Sequence, residues 1–215
     1  MDFDLKEDTA EVCGAETDRA ETDRAEAGGS ETGRAEAAAS KAVLWLAGTV
    51  EDSIVDGPGI RYTVFVQGCP HHCPGCHNPQ THDFAGGSRA DTERILEEIR
   101  SNPLLSGVTF SGGEPFCQPE ALCELGRRIR AMGKELMVYS GYTYEQLLEM
   151  GKRRPAVLEL LELCDLLVDG PFVEEQRDLT LLYRGSANQR VIDLKKTREH
   201  GTVVLYQDDY CQGLW

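Results

Sequence analysis

The sequence lacks the segments that would place it in a membrane or on nucleic acid. No stretch approaches the roughly 20 apolar residues that a membrane-spanning helix requires. No long stripe of Lys and Arg is present, whereas phosphate binding needs clustered basic residues. The first eight residues, MDFDLKED, contain no basic segment followed by an apolar one, and a secretory signal has both. We therefore expect a protein of the cytoplasm that binds neither membranes nor nucleic acid.

Charge and composition divide the chain into two parts. Of its 37 acidic and 22 basic residues, 12 and 4 fall within residues 1–40. Residues 16–40 read as five pentads, ETDRA, ETDRA, EAGGS, ETGRA and EAAAS, which lack bulky apolar side chains. A segment of this composition buries too little apolar surface to offset the entropy of ordering. We predict a disordered acidic tail over residues 1–40 and one folded domain over residues 41–215.

Short apolar runs alternate with amphipathic helical patterns along the folded part. Helices are predicted after the cap residues Asp91 and Thr92, from Pro119, and over residues 144–150 and 156–163. Strands alternating with helices of about ten residues indicate an α/β fold with a mainly parallel sheet, in which ligands bind at the carboxyl ends of the strands. Strands are predicted at residues 43–50, 62–67, 108–110, 136–139, 166–168, 191–194 and 203–206.

Three of the eight cysteines, Cys69, Cys73 and Cys76, form a C-x3-C-x2-C pattern after a predicted strand. In a reducing cytosol such a pattern indicates metal ligands. Thiolates are soft ligands that select an iron–sulfur cluster or zinc. Three thiolates can hold three irons of a [4Fe-4S] cluster and leave the fourth iron free for a small molecule. The alternative is a structural zinc site completed by one of His71, His72, His77 or His82.

Two glycine-rich segments, 56–61 (DGPGIR) and 111–115 (SGGEP), are each open to two interpretations, a structural turn or a ligand-binding loop. The adjacent residues Gly112 and Gly113 allow the backbone to approach a ligand closely. The remaining cysteines of the folded part lack any ligand spacing, and we predict that they are buried thiols. They are Cys117, Cys123, Cys164 and Cys211.

Together these motifs resemble the radical S-adenosylmethionine (SAM) superfamily, and more closely its family of enzymes that activate glycyl radical proteins. The pattern is most similar to the members that act on anaerobic ribonucleoside-triphosphate reductase, and it covers about residues 41–215. Gly75 stands where many superfamily members have an aromatic residue, which is typical of that subgroup. The segments that carry the resemblance are 56–61 (DGPGIR), 67–80 (QGCPHHCPGCHNPQ), 111–115 (SGGEP), 139–143 (YSGYT), 169–172 (DGPF) and 184–189 (RGSANQ).

The resemblance implies a partial (βα) barrel of radical SAM type and an oxidoreductase with two cofactors, a [4Fe-4S] cluster on Cys69, Cys73 and Cys76, and SAM. Cleavage of SAM would yield a 5'-deoxyadenosyl radical that takes a hydrogen atom from a glycine of the partner reductase. A low-potential electron donor is implied as a second partner. No catalytic residue is implied beyond the cluster and SAM ligands. The implied cofactor-binding residues are Gly75, Cys76, His77, Gly112, Gly113 and Glu114.

In this interpretation exposed backbone carbonyls of the glycine loop, together with the Glu114 carboxylate, receive the ammonium group of SAM, and segment 56–61 lies where the partner's glycine enters. Segment 184–189 resembles a family signature to which no chemistry can be attached. Two alternative functions stay open from the sequence. One is activation of pyruvate formate-lyase or another glycyl radical enzyme, and the other is a zinc-binding interaction module.

Overall fold

The computed structural model describes residues 42–207, so the predicted tail over residues 1–40 lies outside the described residues. Within residues 42–207 no helix is long and apolar enough to cross a bilayer. The helices of this part are α1 (Thr92–Ser101), α2 (Pro119–Ala131), α3 (Tyr144–Gly151), α4 (Pro155–Leu163) and α5 (Leu194–His200). The strands are β1 (Trp45–Ser53), β2 (Ile60–Val66), β3 (Ser88–Arg89), β4 (Leu105–Gly112), β5 (Glu135–Tyr139), β6 (Leu166–Asp169) and β7 (Arg190–Asp193).

The strands form an open seven-stranded sheet in the order β3-β1-β2-β4-β5-β6-β7. The four central strands, β2, β4, β5 and β6, run parallel. The outer strands β1, β3 and β7 pair antiparallel with their neighbours. The link between β1 and β2 contains no crossover helix, and a short link joins antiparallel strands only. The predicted α/β fold with a mainly parallel sheet is confirmed, with antiparallel pairing confined to the edges.

Local capping signals set the starts of the helices. The Asp91 side chain accepts a hydrogen bond of 3.0 Å from the backbone N–H of Arg94 and caps α1, as predicted. Pro119 opens α2 at a position where its missing N–H costs nothing. At α3, the Thr143 and Gln146 side chains bond to each other's backbone N–H groups in a capping box. These short-range interactions explain why the predicted helix starts agree with the structure to within one residue.

Residues 194–206, at the C-terminal side of the described part, differ from the prediction. A helix, α5, follows β7 directly, because the Asp193 side chain accepts a hydrogen bond of 2.9 Å from the Lys196 N–H. Gly201 ends this helix in the left-handed conformation, at φ 69°. The strand predicted at residues 203–206 is wrong, since the segment makes a single isolated bridge, between Leu205 and Ile192. The helix has two buried residues in seven, too few to produce a clear apolar period.

The four cysteines outside the C-x3-C-x2-C pattern that were predicted to be buried thiols have different outcomes. Cys123 and Cys164 are buried free thiols, as predicted. Burial raises the pKa of Cys123 to about 12, so this thiol stays protonated at neutral pH. Cys117 is also buried, but it is disulfide-bonded, so the prediction of a thiol is wrong there. Cys211 lies outside the described residues.

The two faces of the sheet have different characters. Along β2, Tyr62, Val64 and Val66 point into the main apolar core, which α1, α2 and α4 also fill. The alternate residues, Arg61 and Thr63, are buried on the opposite face. The same alternation runs through the neighbouring strands, because successive side chains of a strand point to opposite faces. The second face carries buried polar groups from β2 and β4, among them Arg61, Thr63, Thr109 and Ser111.

Arg61 is the largest polar group on this second face, and its side chain is fully buried. Its Nε donates to Thr109 Oγ1 at 2.6 Å and its Nη2 donates to the Val108 carbonyl at 2.8 Å. Its Nη1 donates to the Pro58 carbonyl at 3.3 Å, within the turn at residues 56–61. Desolvation lowers the pKa of the guanidinium, although the Glu135 carboxylate opposes this effect. Arg61 thus fastens the DGPGIR turn to the sheet.

We expect Arg61→Ala to lower the free energy of unfolding by about 3 kcal/mol, because it removes buried packing together with donors that satisfy buried carbonyls. Chemical denaturation of the full chain measures this loss. The control is Arg94→Ala, which removes an exposed arginine paired with Glu98 on α1 and should leave the stability nearly unchanged. Equal losses in the two variants would contradict the proposed anchoring role of Arg61.

Candidate metal and cofactor site

A cavity of about 680 Å³ lies at the carboxyl ends of the four parallel strands. Its wall includes residues from the loops that follow β2, β4, β5 and β6, among them Cys69, Gly113, Gly141 and Gly170. The carboxyl ends of parallel strands meet at one edge of a sheet, so motifs that are far apart in sequence converge there. A cavity of this size accommodates a cofactor-sized ligand. The predicted location of the polar loops therefore agrees with the structure.

The cysteine loop leaves β2 and closes back on itself. The N–H of Gly68 donates to the Thr81 carbonyl at 2.8 Å, and the N–H of Cys69 donates to the His82 carbonyl at 3.1 Å. Cys69 is buried, while Cys73 and Cys76 are half-buried. All three cysteines line the cavity. The three predicted ligands are thus presented on one closed loop that faces one space.

Backbone N–H groups point at all three thiols of the loop. The N–H of Asn78 donates to Cys76 Sγ at 3.4 Å. Burial raises the pKa of Cys69 to about 12, and the opposing influence of the His71 N–H is smaller. Burial likewise raises the pKa of Cys73, against a hydrogen bond from the Phe172 N–H. The buried Cys69 thiol is therefore protonated at neutral pH and would release its proton on binding metal.

The arrangement of the side chains near the thiols bears on which metal group they could hold. Within residues 42–207, no three His, Cys, Asp or Glu side chains are grouped closely enough to hold one metal ion. A [4Fe-4S] cluster bonds each thiolate to a different iron, so its ligands need not converge on one point. Of the histidines considered as a fourth zinc ligand, His71 bonds Glu114, and His77 packs on Phe172. His72 packs on His82, whose buried Nε2 has no hydrogen-bond partner among residues 42–207.

The glycine loop lies directly against the start of the cysteine loop. The N–H of Gly113 donates to the Val66 carbonyl and the N–H of Glu114 donates to the Gly68 carbonyl, both at 2.8 Å. A Cβ atom on Gly113 would lie 2.3 Å from the Gly68 oxygen, so no other residue fits there. Gly112 and Gly113 line the cavity. The two loops thus form one continuous wall.

The structure separates the predicted cofactor-binding residues into two groups. Cys76, His77, Gly112 and Gly113 line the cavity with the other two cysteines. Gly75 does not belong to the wall; it is exposed, at φ 70°, beside Glu174. Glu114 is fully buried, and protein groups donate hydrogen bonds to both of its carboxylate oxygens. The role predicted for Glu114, as acceptor of the SAM ammonium group, stays a prediction.

Segment 184–189 has a structural partner that its sequence did not reveal. Gln189 Oε1 accepts a hydrogen bond from the Gly185 N–H at 2.9 Å, and Gln189 Nε2 donates to the Gly170 carbonyl at 3.0 Å. Asn188 Nδ2 donates to the Pro171 carbonyl at 2.8 Å. The amide side chains therefore fasten this loop to the turn after β6. Arg184, Gly185 and Gln189 in consequence line the cavity.

Asp169 links three secondary-structure elements through its side chain. Its side chain is buried, and it accepts a hydrogen bond of 2.8 Å from the Tyr144 N–H at the start of α3. It also pairs with Arg190, which reaches Glu145 as well. These bonds raise the pKa of the Arg190 guanidinium, since both carboxylates stabilise its charged form. Asp169 thus joins β6, β7 and α3 behind the cavity.

An apolar rim surrounds part of the cavity mouth, and sequence reasoning missed it. We use the term apolar rim for four cavity-lining residues with large exposed side chains. They are Ile54 at 73%, Val55 at 70%, Leu179 at 80% and Leu182 at 46% exposure. Exposed apolar groups that cluster in this way indicate an interaction site. The sequence signal that could have revealed it is the adjacent apolar pair Ile54 and Val55 within the turn-rich segment 52–59, DSIVDGPG.

The part of the chain that carries this site matches a known family. The family model described as "4Fe-4S single cluster domain" matches residues 55–192. The anaerobic ribonucleoside-triphosphate reductase-activating protein of Escherichia coli (strain K12) is 36% identical over 150 residues, which cover 66% of this chain and 94% of that protein. The protein of the same name from Haemophilus influenzae is 35% identical over 144 residues, 63% of this chain and 89% of that protein.

A relative with a different name matches a shorter part. The pyruvate formate-lyase-activating enzyme of Clostridium pasteurianum is 40% identical over 111 residues, which cover 49% of this chain and 47% of that protein. The crystal structure of QueE from Escherichia coli aligns with 47% of this chain and 53% of its own, at 18% identity and a TM-score of 0.35, too low to compare the two folds. The family model covers residues 55–192, and the two reductase-activating proteins align over 94% and 89% of their own length. This chain therefore belongs to the 4Fe-4S single cluster domain family, among the anaerobic ribonucleoside-triphosphate reductase-activating proteins.

Proposed function

We propose that this chain is a radical SAM enzyme that generates a glycyl radical on an anaerobic ribonucleoside-triphosphate reductase. The observation that carries the proposal is the shared cavity wall, in which the three cysteines adjoin the backbone of Gly112 and Gly113. The names of the relatives that match nearly their whole length support the reductase as the target. The partner protein and a low-potential electron donor are part of this proposal.

The residues present fit a [4Fe-4S] cluster and SAM. Cys69, Cys73 and Cys76 supply three thiols on one loop, and the wall keeps room beside them for a ligand. When bound, the cluster would supply the electron that cleaves SAM into methionine and the 5'-deoxyadenosyl radical, which takes the hydrogen atom from the partner's glycine. The protein's own contribution is to bind and orient SAM and to keep water away from the radical.

Different residues of the cavity serve to orient SAM, to adjust the cluster and to shape the entrance. The backbone at Gly112 and Gly113 approaches a ligand without side-chain obstruction and can orient the methionyl part of SAM. Backbone N–H groups near the three thiols would tune the potential of a bound cluster, because hydrogen bonds to sulfur shift iron–sulfur potentials. Asp56 is held at the cavity wall, where its carboxylate accepts hydrogen bonds from Ser53 and Thr63. The turn at residues 56–61 thereby has a fixed shape beside the entrance.

The apolar rim fits a protein substrate. A glycine that must react inside the cavity belongs to a folded partner, whose surface meets the cavity mouth first. Apolar side chains such as Leu179, at 80% exposure, gain free energy when a partner covers them. The rim therefore recognises the partner protein, whereas the cavity wall that carries the cysteines and the paired glycines binds SAM.

The proposal is tested by electron paramagnetic resonance of the reduced protein with SAM and the reductase. We expect about four iron and four sulfide per chain after anaerobic reconstitution, and a glycyl radical signal on the reductase. Cys76→Ala should abolish the signal and lower the iron content, because it removes one cluster ligand. Cys123→Ala, which changes a buried thiol outside the cavity, is the matched control and should retain both.

Two outcomes would contradict the proposal. One is a protein that holds one zinc ion and no iron, and the other is full activity in Cys76→Ala. A parallel reaction with pyruvate formate-lyase examines the second candidate function, which the 40% identity to an activating enzyme of that protein favours. A glycyl radical on pyruvate formate-lyase alone would move the assignment to that target.

The apolar rim gives a separate prediction. We expect Leu179→Asp to reduce glycyl radical formation on the reductase at least tenfold, because a carboxylate in the rim opposes docking. SAM cleavage without the reductase should stay at the wild-type rate. Leu104→Asp is the control, since Leu104 is 71% exposed but does not line the cavity. Equal effects of the two variants would show that the rim does not recognise the partner.

The domain division gives another prediction. We propose that residues 41–215 are sufficient for catalysis and that the acidic segment 1–40 takes no part in it. Deletion of residues 1–40 should therefore leave iron content and SAM cleavage unchanged, as measured by metal analysis and by formation of 5'-deoxyadenosine. Loss of either property would show that this segment is part of the enzyme.

A further inference from the structure

Glu114 is a carboxylate with no exposed surface, in the loop where the sequence predicts a SAM ligand. A buried carboxylate is stable only if hydrogen bonds or charges compensate it. Its donors come from three loops. The Phe116 N–H of its own loop donates to Oε1 at 3.0 Å, Ser140 Oγ donates at 3.0 Å, and the Gly141 N–H donates to Oε2 at 2.9 Å. The fourth donor is His71 Nε2, at 2.9 Å from Oε2.

His71 connects this carboxylate to the cysteine loop. It stands between Cys69 and Cys73, and its backbone N–H points at the Cys69 thiol. Its side chain is 14% exposed, and its ring lies edge-on to the Tyr142 ring, with 4.4 Å between centroids. A Cβ atom on Gly141 would lie 2.3 Å from the His71 ring, so the imidazole fits closely against that backbone. The ring is therefore held on two sides as well as by its hydrogen bond.

The donors of Glu114 leave it little capacity for a ligand. A carboxylate offers about four acceptor positions, and it accepts without donating, so His71 Nε2 carries the hydrogen of this bond. Both oxygens are occupied by protein donors, and the residue does not contribute to the cavity wall. A SAM ammonium group would first have to displace one of these donors. Gly112 and Gly113 present their backbone to the cavity without any such displacement.

We infer that Glu114 is a positioning residue that holds the cysteine loop through His71, and that it does not contact SAM itself. This inference rests on the proposed function, because it assigns the SAM contact to the backbone of the glycine loop. The Glu114–His71 bond fixes Cys69 and Cys73 relative to Gly112 and Gly113. The bonds to Ser140 and Gly141 extend the same constraint to the loop after β5. Three cavity loops thus take their mutual positions from one buried carboxylate.

A double-mutant cycle tests the inference with Glu114→Gln, His71→Asn and the combined variant in the full chain. We expect each single variant to speed hydrogen exchange of residues 69–76 in the protein without iron. In the reconstituted protein each should weaken SAM binding about tenfold, and the combined variant should be no weaker than the single ones. His72→Asn is the control. His72 adjoins His71 but packs on His82, and asparagine tolerates its positive φ of 46°.

The opposite result has a distinct signature. If Glu114 binds the ammonium group directly, Glu114→Gln weakens SAM binding while His71→Asn retains the wild-type affinity, and loop exchange stays as in the wild type. That pattern overturns the inference. Thermal unfolding of each variant separates these effects from loss of the fold, and His71→Asn keeps the test valid if Glu114→Gln does not fold. A wild-type chain that binds no iron overturns the proposed function instead, while the exchange measurement still decides the role of the Glu114–His71 bond.

Discussion

The site depends on a backbone contact between two loops that leave neighbouring parallel strands. The N–H groups of Gly113 and Glu114 bond the Val66 and Gly68 carbonyls and continue the pairing of β2 with β4 past the strand ends. Only glycine permits this approach at position 113, because a Cβ atom would collide with the Gly68 oxygen. The cysteine loop therefore starts directly beside the glycine loop. The three cysteines and the backbone of the paired glycines share one wall as a consequence.

The sheet supplies the environment for that wall by separating apolar from polar side chains. One face packs against the helices in the main core, and the other carries buried polar groups that begin with Arg61 and end at the cavity with Ser111. Buried polar groups destabilise a fold unless they are bonded, and here Arg61 and Glu114 have several partners each. Saturated networks of this kind hold loops in one geometry, which a site for radical chemistry needs.

The cavity has the three cysteines and the paired glycines on its wall and the apolar rim at its mouth. In the proposed function SAM binds beside the cysteines, and the partner protein meets the rim, led by Ile54 and Leu179. The loop at residues 184–189 contributes to the cavity wall, because Gln189 fastens it to the turn after β6. The proposed function therefore predicts that recognition of the partner and binding of SAM can be altered separately.

The sequence by itself determined the strand and helix order, the helix caps, the cysteine spacing and the paired glycines, because each depends on residues close together in the chain. It failed for α5, whose two buried residues give no clear period, and for the role of segment 184–189. Only the tertiary structure decided that Glu114 is enclosed and bonded to His71 and Ser140, which lie 43 and 26 positions away. Burial and hydrogen bonding of a side chain depend on what packs around it, and the strand order of the sheet, not the motif, brings those neighbours together.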